Sequence, residues 1–122
     1  MIDVALWDLK GRLLDQPVWR LLGGSEPKPI PVTSIVFGNT TKEMVKYAED
    51  TVKKHNVRGF KIKVWKRSME DVRMVRDIRK AVGDDVFLYG DANSVYKESE
   101  VRLYLSHLAD YNIAMLEDPC KF

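Results

Sequence analysis

An α/β fold of about four parallel strands with helices on the outside, forming part of a (β/α) barrel, is what this sequence predicts. Three observations carry the prediction. From Ile30 onward, short runs rich in Val, Ile, Phe, Tyr or Leu alternate with amphipathic segments that open on capping residues, the pattern of repeated βα units. Each amphipathic segment has one apolar and one charged face, as helices lying on a parallel sheet require. A chemically reactive side chain falls at or just beyond the end of successive strands, at a spacing close to that of a barrel.

The opening segment is helical, because Ala5, Leu6, Leu9 and Leu13 form a stripe at helical spacing. Pro17 suits the first turn of a second, short helix that ends at Gly23-Gly24. Residues 1–24 therefore read as a helical lead into the barrel domain. Ser25 to Pro31 is a short, proline-stiffened linker, and residues 25–122 hold the first βα units without a second domain. Strands are predicted at Pro31 to Phe37, Gly59 to Val64, Val86 to Gly90 and Ile113 to Leu116. The first helix between them starts at the capping box Thr40-Thr41-Lys42-Glu43 and turns Met44, Ala48 and Val52 inward. A second starts near Ser68 with Asp71 three positions on. It presents Val72, Val75, the Arg79 stem and Val82, and stops at Gly83. The third presents Val101, Leu105 and Leu108.

Composition narrows the function classes. The chain of 122 residues is one core's worth, and 45% apolar with 31% charged residues is the balance of a globular protein. No run approaches the roughly 18 apolar residues of a membrane span. The N-terminus has acids inside its apolar stretch and no basic lead-in, so export is not expected and a cytoplasmic location is. Twenty basic against eighteen acidic residues are interspersed without basic blocks, which argues against nucleic acid as a partner. Cys120 is the only cysteine, so no internal disulfide is possible.

Lys63 to Asp91 spans 28 positions (91 − 63) and Asp91 to Glu117 spans 26 (117 − 91), against about 31 per unit in a TIM-type barrel. In Phe60-Lys61-Ile62-Lys63-Val64 the two lysines share one face of a strand and the apolar residues the other. A water-facing strand is the bland alternative. In a covered parallel sheet, repulsion and desolvation would instead depress both ammonium pKa values and turn one lysine toward a usable base. Asp91-Ala92-Asn93 could equally be an Asx turn, and Glu117-Asp118-Pro119 a helix cap. Together, two carboxylates at neighbouring strand ends can converge on one hard cation, for which magnesium is the natural choice. Trp65 follows the lysine pair closely enough to line a pocket, although packing is its ordinary role.

The lead Ile2-Asp3-Val4-Ala5-Leu6-Trp7-Asp8-Leu9-Lys10-Gly11, the segment Pro17-Val18-Trp19-Arg20-Leu21-Leu22-Gly23-Gly24, Lys61-Ile62-Lys63, Asp91-Ala92-Asn93 and Glu117-Asp118-Pro119 stand in an order and spacing that is highly specific. In these features, over nearly its whole length, the chain resembles the enolase superfamily in its mandelate racemase and muconate lactonizing enzyme branch. That resemblance implies roughly half of a (β/α)7β barrel. It implies Lys63 as the base, Lys61 as a partner that lowers its pKa and helps hold the substrate carboxylate, Asp91 and Glu117 as the first two Mg²⁺ ligands, and Asn93 as a supporting hydrogen-bonding residue. The implied chemistry is removal of a proton alpha to a carboxylate, giving an enediolate stabilised by the metal, in a racemase, cycloisomerase or acid-sugar dehydratase. Glu117-Asp118-Pro119-Cys120 is similar to the corresponding run in some of those dehydratases.

The family pattern also includes a capping domain before the barrel, a third metal ligand about one unit beyond Glu117, and later strands. These are expected to be absent from the 122 residues. The chain alone is accordingly expected to be catalytically silent, or to complete its sheet with another copy as a homo-oligomer. The expected ligand is a small carboxylate or sugar acid. A non-enzymatic open-sheet module for binding or assembly is the rival reading, although Phe37-Gly38-Asn39-Thr40 lacks the glycine-rich loop a phosphate ligand would need.

Overall fold

The computed structural model describes residues 1–64 and 69–121, and it divides into two compact units, Met1–Ile30 and Pro31–Phe122. The first holds α1 (Ile2–Leu14) and α2 (Val18–Leu21). α1 stops where Asp15 enters the left-handed region at φ 50° and its N–H and that of Gln16 return to the carbonyls of Arg12 and Gly11. Pro17, whose missing N–H is no loss at a helix start, caps α2 in extended conformation. The stripe predicted for α1 is helical as expected, but Leu6, Leu9 and Leu13 are exposed.

The second unit contains β1 (Ser34–Ile35), α3 (Thr41–His55), β2 (Gly59–Lys63), α4 (Met69–Val82), β3 (Phe87–Asp91), α5 (Glu98–Ala109) and β4 (Ile113–Glu117). All four strands are parallel and lie in sequence order, β1-β2-β3-β4. This is the predicted βα repetition. β1 is shorter than the predicted Pro31 to Phe37. It pairs with β2 alone, and the prolines at 27, 29 and 31 offer no donors to extend the ladder. β3 and β4 each run one residue further than predicted, so that Asp91 and Glu117 are their last residues.

Alternation in β2 separates the two faces of the sheet. Phe60, Ile62 and Val64 are fully buried, together with Leu88 of β3 and Val72, Val75 and Ile78 of α4. α3 begins as its capping box predicts: the Glu43 N–H donates to Thr40 Oγ1 (3.2 Å) and the Asn39 N–H to Glu43 Oε2 (2.8 Å). Ala48 is its fully buried residue, flanked by half-buried Met44 and Val52. The start of α4 near Ser68, and Trp65, lie outside the described residues. Its end at Gly83, with φ 83°, is as expected. In α5, Val101 and Leu108 pack inward, but Leu105 is 39% exposed and Tyr104 takes its place. There the Tyr104 ring packs 4.5 Å from that of Tyr96, an aromatic pair that adds to its burial. No helix among the described residues is long and apolar enough to cross a membrane.

Arg79 departs from its prediction. Only its stem was expected inside, yet the whole residue is buried, at 6% exposure. Its guanidinium donates to the carbonyls of Gly83 (2.8 Å), Val86 (2.6 Å), Tyr111 (3.0 Å) and Asn112 (3.0 Å). These tie the end of α4 to the entries of β3 and β4, and burial pulls the guanidinium pKa below its ordinary value. Arg79→Met would strand several buried carbonyls, so it is expected to cost about 3 kcal/mol, read as a lowered urea midpoint. Arg79→Lys should recover only part of the loss, since an ammonium cannot reproduce the planar fork.

Candidate active site

Parallel pairing sets Lys63 opposite Asp91 and Asp91 opposite Glu117, so the last residues of β2, β3 and β4 form one row across the sheet. Lys61, two residues back on the same face, reaches into this row. Its Nζ lies 2.9 Å from Asp91 Oδ2 and 2.6 Å from Glu117 Oε2. Lys63 Nζ lies 2.5 Å from the same Asp91 oxygen and donates to Asn93 Oδ1 at 2.8 Å. Asp91 is thus the hub, with Oδ2 accepting from both lysines and Oδ1 from the Asn93 backbone N–H at 3.0 Å. The Asx-turn contact predicted for this residue is present on Oδ1, while Oδ2 faces the lysines. Asn93 adopts a left-handed φ of 48°, which Asn tolerates better than most residues.

Burial and charge oppose each other at Asp91, which is 2% exposed. Burial pushes its carboxyl up, but the hydrogen bonds from Lys63, Lys61 and the Asn93 N–H outweigh it and hold the pKa at about 2. For Lys61 the sequence predicts depression by its neighbour lysine, and the structure reverses this. Hydrogen bonds to Glu117 and then Asp91 hold its ammonium above the ordinary lysine value, because two carboxylates more than offset the second cation.

All five residues singled out from the sequence, Lys61, Lys63, Asp91, Asn93 and Glu117, therefore meet in one cluster. Tyr89 belongs beside them and was missed: Lys61 Nζ stands 5.8 Å from the centre of its ring, in cation–π range. The signal was present, since Tyr89 precedes Asp91 by two positions on the same strand face. As a seat for a hard dication the donors fit in kind, two carboxylates aimed at the single point that Lys61 Nζ occupies. Among the described residues, no group of three or more His, Cys, Asp or Glu side chains could hold a metal ion.

Parallel strands carrying polar groups at their C-terminal ends, under outer helices, define part of a (β/α) barrel at its active-site end. Residues 43–122 match the family described as enolase C-terminal domain-like, and residues 1–23 match the mandelate racemase / muconate lactonizing enzyme N-terminal domain. The chain belongs to the enolase superfamily, in its mandelate racemase and muconate lactonizing enzyme branch. Over 119 residues it is 34% identical to the N-succinyl-L-Arg/Lys racemase of Bacillus cereus, covering 97% of this chain and 32% of that enzyme. The arabinonate dehydratase of Saccharolobus solfataricus is 32% identical over 121 residues, covering 97% and 32%. The crystal structure of the dipeptide epimerase from Enterococcus faecalis V583, complexed with Mg and the dipeptide L-Leu-L-Tyr, superposes with a TM-score of 0.87 at 32% identity. That match covers 98% of this chain and 33% of the epimerase. The chain thus spans about a third of the length of the relatives it matches. Those relatives are isomerases and lyases, a cycloisomerase and an epimerase among them.

A carboxylate depressed in the folded state stabilises the fold above its unfolded pKa and loses that contribution as pH falls through its folded value. For Asp91 the window runs from about 4 in the unfolded chain to about 2 in the folded one. Urea denaturation of the parent and of Asp91→Asn should therefore show an advantage for the parent at pH 6 that shrinks between pH ~4 and ~2. A gap independent of pH would contradict the ion-paired hub.

Proposed function

We propose that this chain supplies the base and the first two metal ligands of a magnesium-dependent enzyme that removes a proton alpha to a carboxylate. The observation that carries this reading is the row Lys63, Asp91, Glu117 at three adjacent strand ends, with Lys61 bonded to both acids. Two relatives' crystal structures hold magnesium, one with a dipeptide and one, from Bradyrhizobium, with mandelic acid. By analogy the substrate class here is a small carboxylate or sugar acid.

Each residue has a task that its chemistry suits. Asp91 and Glu117 are the oxygen donors for Mg²⁺, which when bound supplies divalent charge against the second negative charge that forms on the substrate. Lys61, kept protonated by its two acids, is a fixed cation for the substrate carboxylate. Lys63 is the base that takes the substrate's α-proton. Asn93 Oδ1 and Asp91 Oδ2 hold its Nζ in place.

Calorimetric titration with MgCl₂ tests the ligand assignment. Asp91→Ala should weaken binding by at least about tenfold, the lower end of the loss seen even when an outer partner of a metal site is removed. Indifference to that change would favour the rival binding or assembly module. With two acids in the row, the 122 residues by themselves are expected not to exchange the α-proton of dipeptides, mandelate or sugar acids for deuterium. The open edges of β1 and β4 favour association of copies, so size-exclusion chromatography should give a mass above that of one chain. A monomer with magnesium-dependent exchange would overturn both expectations.

A further inference from the structure

Ile113 and Glu117 are four residues apart, so in an unbroken strand they would point to the same side of the sheet. They do not. Ile113 and Leu116 pack against the buried core, whereas Glu117 lies on the other face with Lys61. The pairing with β3 accounts for this: Leu88 stands opposite Ile113, Gly90 opposite Leu116 and Asp91 opposite Glu117, so β4 uses three steps where β3 uses two. An extra residue of this bulge type re-aims every side chain beyond it. Ala114 and Met115, which lie inside the irregularity, are exposed.

Two apolar side chains can compete for the core position above β3. In a regular β4, Ile113, Met115 and Glu117 would share the core face and Leu116 would sit on the site face. In the observed strand Leu116 wins the position. Its Cδ1 fills the space left by the missing side chain of Gly90, where a Cβ would come within 2.8 Å of it, and Val64 forms the far wall at 3.1 Å from the same point. Met115, unbranched and adaptable, is a credible occupant of that space but is left 51% exposed.

We propose that Leu116 is a positioning residue for Glu117: by seating against Gly90 and Val64 in place of Met115, it holds the irregular register that turns Glu117 toward Asp91 and Lys61. The consequence for catalysis rests on the proposed metal and proton-transfer reading, while the register itself rests on strand pairing alone. A one-residue slip would send Glu117 to the helix-covered face.

The test reads the Lys61–Glu117 pair directly and needs neither metal nor substrate. Carbodiimide treatment of the 122-residue chain joins the Glu117 carboxyl to the Lys61 amine as an amide, quantified by mass spectrometry against the Glu49–Lys53 product on α3, whose groups are 2.6 Å apart. Leu116→Ala should lower the relative yield by at least about fivefold, since a truncated leucine loses most of its claim to the core position. Deleting Met115 removes the competitor and the extra residue together, leaving a regular strand with Glu117 still facing Lys61. That deletion should keep the parental yield on its own and restore it to within about twofold in Leu116→Ala. A merely stabilising Leu116 would not be rescued this way. Parental yield in folded Leu116→Ala, or loss of the product in either Met115 deletion, would overturn the proposal. If Leu116→Ala alone loses its far-ultraviolet circular dichroism, the two deletions decide. Magnesium titration of the same proteins separates this outcome from failure of the metal reading, because the cross-link can persist where no ion binds.

Discussion

Two ammonium groups and two carboxylates share the ends of three neighbouring strands, and Asp91 is the point through which they are joined. A carboxylate buried this deeply is tolerable only when it is paired, because desolvation alone would drive it to the neutral form. Both lysines are in turn drawn inward from a face that would otherwise expose them. The cluster is therefore one object. Its register, Lys63 beside Asp91 beside Glu117, is set by parallel pairing together with the irregularity in β4, so the sheet and the site are specified together.

Beneath that row the structure is anchored from the opposite end. The buried Arg79 guanidinium holds the carbonyls of Val86 and Asn112, each five residues before an acid of the row (91 − 86 and 117 − 112). The apolar layer of Phe60, Ile62, Val64 and Leu88 is buried in the core on the helix-covered face. Alternation in β2 puts these apolar residues on one face and Lys61 and Lys63 on the other, where the charged row forms.

Much of this was legible in the sequence where a local rule applied. The capping box at Thr40 to Glu43, the stop at Gly83, the Lys61/Lys63 alternation and the carboxylates at strand ends depend on neighbours within a few residues, and each has a sequence signature. Features decided by contacts between distant segments were not legible. Tyr104 packs against the ring of Tyr96, and the depth of Arg79 depends on carbonyls up to 33 residues away. Simple alternation from Ile113 would have turned Glu117 into the core. The pKa direction of Lys61 also escaped, because the lysine pair is adjacent in the sequence whereas the acids that outweigh the repulsion arrive from other strands.

That reversal bears on how a base could operate here. As the cluster stands, each cation is matched by an acid, and a lysine held by a carboxylate is a poor acceptor of protons. Any change at Asp91 therefore reaches both lysines at once. The geometry expresses this coupling in one atom, since Asp91 Oδ2 is shared by Lys61 and Lys63. Lys61, bonded to both acids, is held as a cation. Two lysines of identical type, two residues apart, are thus distinguished by which acids they touch: Lys61 by Asp91 and Glu117 together, Lys63 by Asp91 and the neutral amide of Asn93.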